Sequence, residues 1–266
     1  MTKAVILNDT SKKRNRHVGC VAVMDAYHRL LASRGIKVIG TQAIGMDWRS
    51  LENRRMMDRA DIVLVNGEGS IHDDKHTRLL NVGKHYPAIL MNCVFQRMTK
   101  RCFDELSSFR LVAVRETFSA NYMADTHGVR PMVVPDLIFS MDGGERTASS
   151  GRYIGDSVVS HGTGTEPQMD DPQFIEKFIR HKDACLGRFH AIALAAIFGV
   201  PFSAWRSNTW KNEAIMRDMG VPNLYAHDIS DAIRLVPRVV SDSVREYVVR
   251  AKLSINDLFD SIANDY

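Results

Sequence analysis

Hydrophobic and polar positions along the first half of the chain switch repeatedly between two periods. Residues 3–8 form a short apolar run with β-branched side chains, which predicts a strand. Residues 18–33 carry apolar side chains at helical spacing and run out near Gly35, which predicts a helix. Residues 36–41 give a second strand, and residues 61–66 a buried one that stops at Gly67-Glu68-Gly69-Ser70. Apolar runs at 88–94 and 111–114 predict two more strands. Residues 116–127 predict a helix whose start Glu116 favours, and 132–135 a last strand. Strands alternating with helices predict a parallel sheet covered on both faces, an α/β domain over residues 1–140.

Residues 141–151 are rich in glycine, serine and charge and read as a linker. Beyond them the pattern predicts a strand at 156–160, a polar loop through Gly162-Thr163-Gly164 and a helix from Asp171-Pro172. A helix over 191–198, apolar on nearly every face, closes at Gly199; a strand at 201–205 and a helix at 210–219 follow. These elements predict a second, smaller unit over 152–228, too short for a full-sized independent domain and therefore expected to share its core with the first. Residues 229–266 are helical almost throughout, with a break at Pro237, and predict a C-terminal helical segment packing across both domains.

Composition narrows the classes. The chain has 266 residues, 45% hydrophobic and 25% charged, as in ordinary globular proteins. No apolar run is long enough to span a bilayer, and the first residues enter a strand without the layout of a signal peptide. Cys20, Cys93, Cys102 and Cys185 are scattered with no CxxC pair, which predicts reduced thiols and a cytoplasmic location. The net charge of +4 suits an anionic small molecule or polymer. The basic run from Lys12 through Lys13, Arg14 and Arg16 to His17 is either a solvated loop or a nucleic-acid contact.

Candidate chemistry falls where strands end, the edge at which parallel sheets collect ligands. Arg188 and His190 stand two residues apart where a strand turns into the buried helix. The backbone N–H groups of its first turn and the guanidinium would seat an anion, with His190 as proton donor or acceptor. Arg115 repeats that logic after the strand at 111–114, and two arginines facing one cleft would suit a donor with two anionic groups. Gly67, Glu68, Gly69 and Ser70 would let a ligand approach the backbone closely. Asp73, Asp136 and Lys211 complete the candidate ligand contacts. His72 and His76 are four apart, and on a helix that spacing could bind a metal with Asp73. Lys75 opposes a cation there and no third ligand cluster stands out, so neither metal nor cofactor is expected.

Taken in order, these motifs resemble the polysaccharide pyruvyl transferase family. The resemblance rests on Gly67-x-Gly69-Ser70-x-x-Asp73, Val114-Arg115-Glu116-x-x-Ser119, Val134-Pro135-Asp136, Gly187-Arg188-Phe189-His190-Ala191, Gly199-Val200-Pro201 and Lys211, with His17-Val18-Gly19 as an opening loop. The chain departs from the family pattern in a short second half, in Glu68, and in Cys20. The resemblance implies a GT-B-like pair of facing Rossmann-like halves that moves an enolpyruvyl group from phosphoenolpyruvate to a sugar hydroxyl. Arg188 and Arg115 would then hold the donor's phosphate and carboxylate, His190 would be the acid/base, and His76 or His72 would contact the donor. The competing readings are a GT-B-like glycosyltransferase moving a sugar from a nucleotide donor to a glycan or a modified nucleic-acid base, and a non-catalytic binding protein on the same fold.

Overall fold

The strand β1 (Lys3–Asp9) is buried from its second residue onward, and its Val5, Ile6 and Leu7 have neighbours on both edges. It pairs in parallel with β2 (Lys37–Ala43) on one side and β3 (Ile62–Asn66) on the other. The helix α1 (Val18–Ala32) connects β1 to β2, and α2 (Leu51–Met57) leads to β3. Then come β4 (Ala88–Cys93), α3 (Lys100–Leu106), β5 (Leu111–Val114), α4 (Thr117–His127) and the short β6 (Met132–Val133). The result is a six-stranded, all-parallel sheet in the order β2-β1-β3-β4-β5-β6. The structure is a computed structural model, and it describes residues 1–12, 17–68, 71–75, 77–159 and 168–266.

A second sheet holds β7 (Ser150–Ser157), β8 (His181–Gly187), β9 (Phe202–Trp205) and β10 (Tyr225–Ala226) in the order β10-β9-β8-β7, again parallel. Around it lie α5 (Phe174–Phe178), α6 (Phe189–Phe198), α7 (Lys211–Asp218) and α8 (Ile229–Leu235), before the final helix α9 (Asp242–Asp265). The chain divides into two units. Met1–Arg16, Val23–Leu137 and Ser254–Tyr266 form the first; His17–Ala22 and Ile138–Leu253 form the second. The segment 229–266 is therefore shared between units, its last turns belonging to the first.

Each unit has its own core. In the first, Val63, Leu90, Phe95, Phe103 and Val114 belong to one buried cluster beside the sheet. Its terminal residues are pinned there by Arg34, whose Nε donates to Asp260 at 2.8 Å, and by Phe259 packing edge-on to Tyr27. In the second, Tyr153, Phe174 and Phe178 form an aromatic knot with ring centroids 5.1–5.9 Å apart. Residues Phe189 to Ala196 of α6 are all buried, as the apolar run predicts, and Gly199 closes the helix in the left-handed conformation at φ +67°.

Several elements differ from the sequence expectation. The strand placed at 156–160 instead begins at Ser150, inside the expected linker, and ends at Ser157; Ser160 and the Gly162-Thr163-Gly164 loop lie outside the described residues. The helix expected from Asp171 starts at Phe174. Residues 72–75 are not helical: Asp73 and Asp74 both take φ +54°, and His72 forms a lone parallel bridge with Gln96. His72 therefore does not stand on a helix, and His76 lies outside the described residues. The break near Pro237 is present, between α8 and α9. No helix among the described residues is long and apolar enough to cross a membrane.

Candidate functional site

In the first unit the strand order reverses at β1 and β3, because the chain leaves β1 toward β2 on one side and returns to β3 on the other. Such a switch opens a crevice beyond the strands' carboxyl ends. Three buried asparagines line this edge. Asn8 and Asn92 adopt φ +65° and +61°, conformations that asparagine tolerates better than most side chains. Asn8 Nδ2 donates to the Asn66 carbonyl at 2.6 Å, and Asn66 Nδ2 returns a bond to the Asn8 carbonyl at 3.3 Å. Asn66 Oδ1 accepts from Asn92 Nδ2 and from the Glu68 amide, each at 3.2 Å. The strand ends are thus tied by side chains where the backbone ladder stops.

Gly67 cannot carry a side chain, since a β-carbon would lie 2.3 Å from Cys93 Cβ. Its neighbour Glu68 is buried and accepts from the Thr10 hydroxyl. Tyr27 is wholly buried, and its hydroxyl has no hydrogen-bond partner among the described residues. Burial, then the charges of Asp136 and Glu68, push its phenol well above the ordinary range and keep it protonated.

Arg115 and Asp136, expected separately as ligand contacts, are partners. Arg115 is 2% exposed, and its Nη1 donates to Asp136 Oδ2 at 2.9 Å. Its backbone amide donates to Cys93 O at 3.1 Å, holding the end of β5 against β4. Glu116 caps α4 as its position predicts, accepting from the Ser119 amide at 2.9 Å. Asp73 meets His72 Nδ1 at 2.6 Å and accepts from Arg97 Nη2 at 3.0 Å. Arg97 first, and His72 second, hold its carboxyl far below the usual range, so the His72 ring faces a permanent carboxylate. Gly69, Ser70 and His76 lie outside the described residues.

In the second unit, β7 ends at Asp156-Ser157, β8 at Gly187 and β9 at Trp205. Arg188 is the N-cap residue of α6, in extended conformation. Its Nε and Nη2 donate to the two Asp156 oxygens at 2.5 and 2.6 Å. This fork fixes the guanidinium plane at the strand end, and the paired carboxylate holds the guanidinium firmly charged. Gly187 is enclosed: a β-carbon there would meet Asp156 O, Ser157 Cβ and Trp205 Cε2 within 2.7 Å. Asn212 Nδ2 donates to Gly187 O at 2.9 Å and Trp205 O at 2.7 Å, tying β8 to β9. Lys211 opens α7, is buried, and donates to Asn208 Oδ1 at 2.8 Å.

His190 sits in the first turn of α6 at 6% exposure. Its ring lies 5.1 Å, centroid to centroid, from that of His17, whose Nε2 is 3.4 Å from Cys20 Sγ. The second unit therefore brings Arg188, His190 and Lys211 to the helix-bearing ends of one sheet. Arg115, Asp136, Glu68 and Asp73 belong to the first unit.

Sequence reasoning did not find Tyr27, the asparagine set, Asp156 or the packing of His17 and Cys20 beside His190. It also did not find three buried polar atoms that have no hydrogen-bond partner among the described residues: Trp205 Nε1, Thr209 Oγ1 and Asn212 Oδ1. All three lie at or just beyond the end of β9, where a polar ligand would satisfy them.

No family model matches the chain, and no curated protein matches it. Among solved structures, an uncharacterized protein from Klebsiella pneumoniae subsp. pneumoniae is similar over 81% of this chain and 88% of its own, at 16% identity and a TM-score of 0.50. The periplasmic binding protein component of the arabinose ABC transporter from Shewanella sp. ANA-3 covers 83% of this chain and 70% of its own, at 11% identity and a TM-score of 0.31. A galactofuranose binding protein covers 96% and 99%, at 10% identity and a TM-score of 0.33. The first of these likenesses is one of fold alone, in keeping with an α/β chain built on parallel sheets.

Proposed function

We propose that this chain is a transferase that draws an enolpyruvyl group from phosphoenolpyruvate onto a sugar hydroxyl, on paired Rossmann-like halves of the GT-B kind. The observation that carries this reading is the Arg188 corner. A guanidinium fixed in plane by Asp156 stands at the start of a helix buried from Phe189 to Ala196, with an imidazole in the same first turn. The amides of that turn and the positive end of the helix favour a phosphate, and Arg188 adds a fixed charge beside it. The unpartnered polar atoms of Trp205, Thr209 and Asn212 support a polar ligand in the same unit.

The chemistry asks for no more than these groups. In ketal formation, one sugar oxygen adds to the enol carbon while the methylene gains a proton. A second sugar oxygen then adds as phosphate leaves. Of the two hydroxyl protons released, one ends on the new methyl group and the other on phosphate. In this reading His190 moves them, and Arg188 with the helix amides stabilises the departing phosphate. Arg115 stays with Asp136, where it holds the carboxyl edge of the first sheet.

Differential thermal stabilisation separates the readings. Phosphoenolpyruvate is expected to raise the melting temperature, by linkage to the folded state, and Arg188→Ala to abolish the rise. Stabilisation by a nucleotide sugar and not by phosphoenolpyruvate moves the assignment to a GT-B-like glycosyltransferase. Stabilisation by neither overturns the transferase reading in favour of a binding protein.

A further inference from the structure

We propose that His17, Cys20 and His190 of the second unit form a binding site for a divalent transition metal of the zinc class. One ligand atom from each of the three lies within 4.8 Å of the other two. Cys20 and His190 are each 6% exposed, and His17 is half-buried.

The local sequence builds this cluster. His17 immediately precedes α1 and Cys20 lies in its first turn, so a spacing of three puts both side chains on one face. The Val18 amide is tied to Met169 O at 2.9 Å, which fixes where the helix begins. Between them Gly19 leaves the space that the third ligand occupies. A β-carbon there would lie 2.4 Å from Cβ, Cγ and Nδ1 of His190. A side chain at position 19 would therefore push the imidazole away from the other two ligands.

The donor set selects the ion. Two imidazoles and a thiolate suit zinc, cobalt or copper and disfavour magnesium and calcium, which take oxygen ligands. Ideal Zn–N and Zn–S bonds at a tetrahedral angle separate N from S by about 3.5 Å. The His17 Nε2 to Cys20 Sγ distance is 3.4 Å, already that edge. Three protein ligands suffice to hold such an ion. Arg188, the nearest cation in sequence to His190, is paired with Asp156 and opposes a metal less for it. Binding releases the Cys20 proton to solvent, so affinity rises with pH.

The site goes beyond the transfer reading and is tested without turnover. In the loaded chain a His190 ring nitrogen is committed to the metal, so metal is expected to suppress any proton transfer that His190 performs. Full-length, reduced, metal-free protein is titrated with Co²⁺ and then with Zn²⁺. The expected result is a near-ultraviolet thiolate-to-cobalt absorption band that saturates at one equivalent and is bleached by Zn²⁺. Cys20→Ser is expected to remove the band, and His17→Gln to weaken binding at least tenfold; circular dichroism verifies that each variant is folded. If Cys20→Ser does not fold, His17→Gln at the half-buried position decides alone. Absence of the band in the parent protein, or its persistence in folded Cys20→Ser, overturns the proposal. So does unchanged affinity in His17→Gln. Loss of phosphoenolpyruvate binding, by contrast, would leave the cobalt spectrum untouched.

Discussion

A β-carbon on Gly19 would stand 2.4 Å from the imidazole of His190, so the first turn of α1 and the first turn of α6 meet through a missing side chain. Gly19→Ala sets two effects against each other. Alanine in a helix gains up to about 1 kcal/mol over glycine, whereas overpacking a buried contact costs about 1–3 kcal/mol. The clash wins, with a net loss of up to roughly 2 kcal/mol by these magnitudes. His190 is displaced, and under the transferase reading turnover is expected to fall further than stability. Urea unfolding beside turnover on the same preparation checks this; a variant with parental turnover and stability would show that the contact relaxes freely.

Arg115 and Asp136 form a buried pair, 2% and 0% exposed in their side chains. Asp136→Ala leaves a guanidinium in the interior without its carboxylate, which costs about 3–5 kcal/mol. Replacing both, as Arg115→Met with Asp136→Leu, removes the uncompensated charge and is expected to recover much of that loss. Denaturant midpoints of the two variants supply the comparison. Equal destabilisation of single and double variants would mean the pair acts through packing alone.

The fold was legible where burial writes a continuous signal. β3 is apolar from Ile62 to Val65 and α6 is apolar apart from His190, and both stand where the sequence places them. Elements with little burial left no such trace. In α2 only Met57 is buried, and β10 is two residues long with one parallel neighbour, so neither shows a period. The corner at Arg188 was visible because its residues are adjacent in the chain. Asp156, which fixes that arginine, lies on a neighbouring strand and is recognisable only once β7 and β8 are paired. The same holds for Asn8, Asn66 and Asn92, whose common edge is a product of strand order. The turn at Asp73 and Asp74 is not legible from the spacing of His72 and His76, because histidines four apart fit a helical face while positive φ at both aspartates excludes one there.

Arg188→Lys preserves the charge and loses the fork. Lysine cannot donate to both Asp156 oxygens in one plane, so the cation is no longer held at the strand end. Under the transferase reading, turnover is expected to drop by roughly 10²-fold or more, the scale for removing one preorganised donor. Folding stability should move far less, because lysine keeps a positive charge beside Asp156. Steady-state rates against a melting curve test this, and undiminished turnover would remove Arg188 from the chemistry.

Cys185 offers a pH-dependent check on the second unit's core. Burial between β7 and β9 pushes its thiol from 9.0 up to about 11, with Ser203 opposing the shift. The folded chain therefore keeps the proton over a range where the unfolded chain releases it. With the folded value raised, the associated stability is fully present below pH 9 and is lost as the pH climbs from about 9 toward about 11. Its slope is at most about 1.4 kcal/mol per pH unit. Cys185→Ala lowers stability at every pH by opening a cavity, and it should also flatten the decline above pH 9 relative to the parent. Cys93, raised further by its own burial, keeps its contribution in both proteins and cancels in the difference. Urea unfolding at pH 8, 9 and 10 therefore isolates the Cys185 contribution as the gap between the two slopes. Parallel slopes would mean that this thiol ionises in the folded chain as readily as in water, and that the end of β8 is open to solvent.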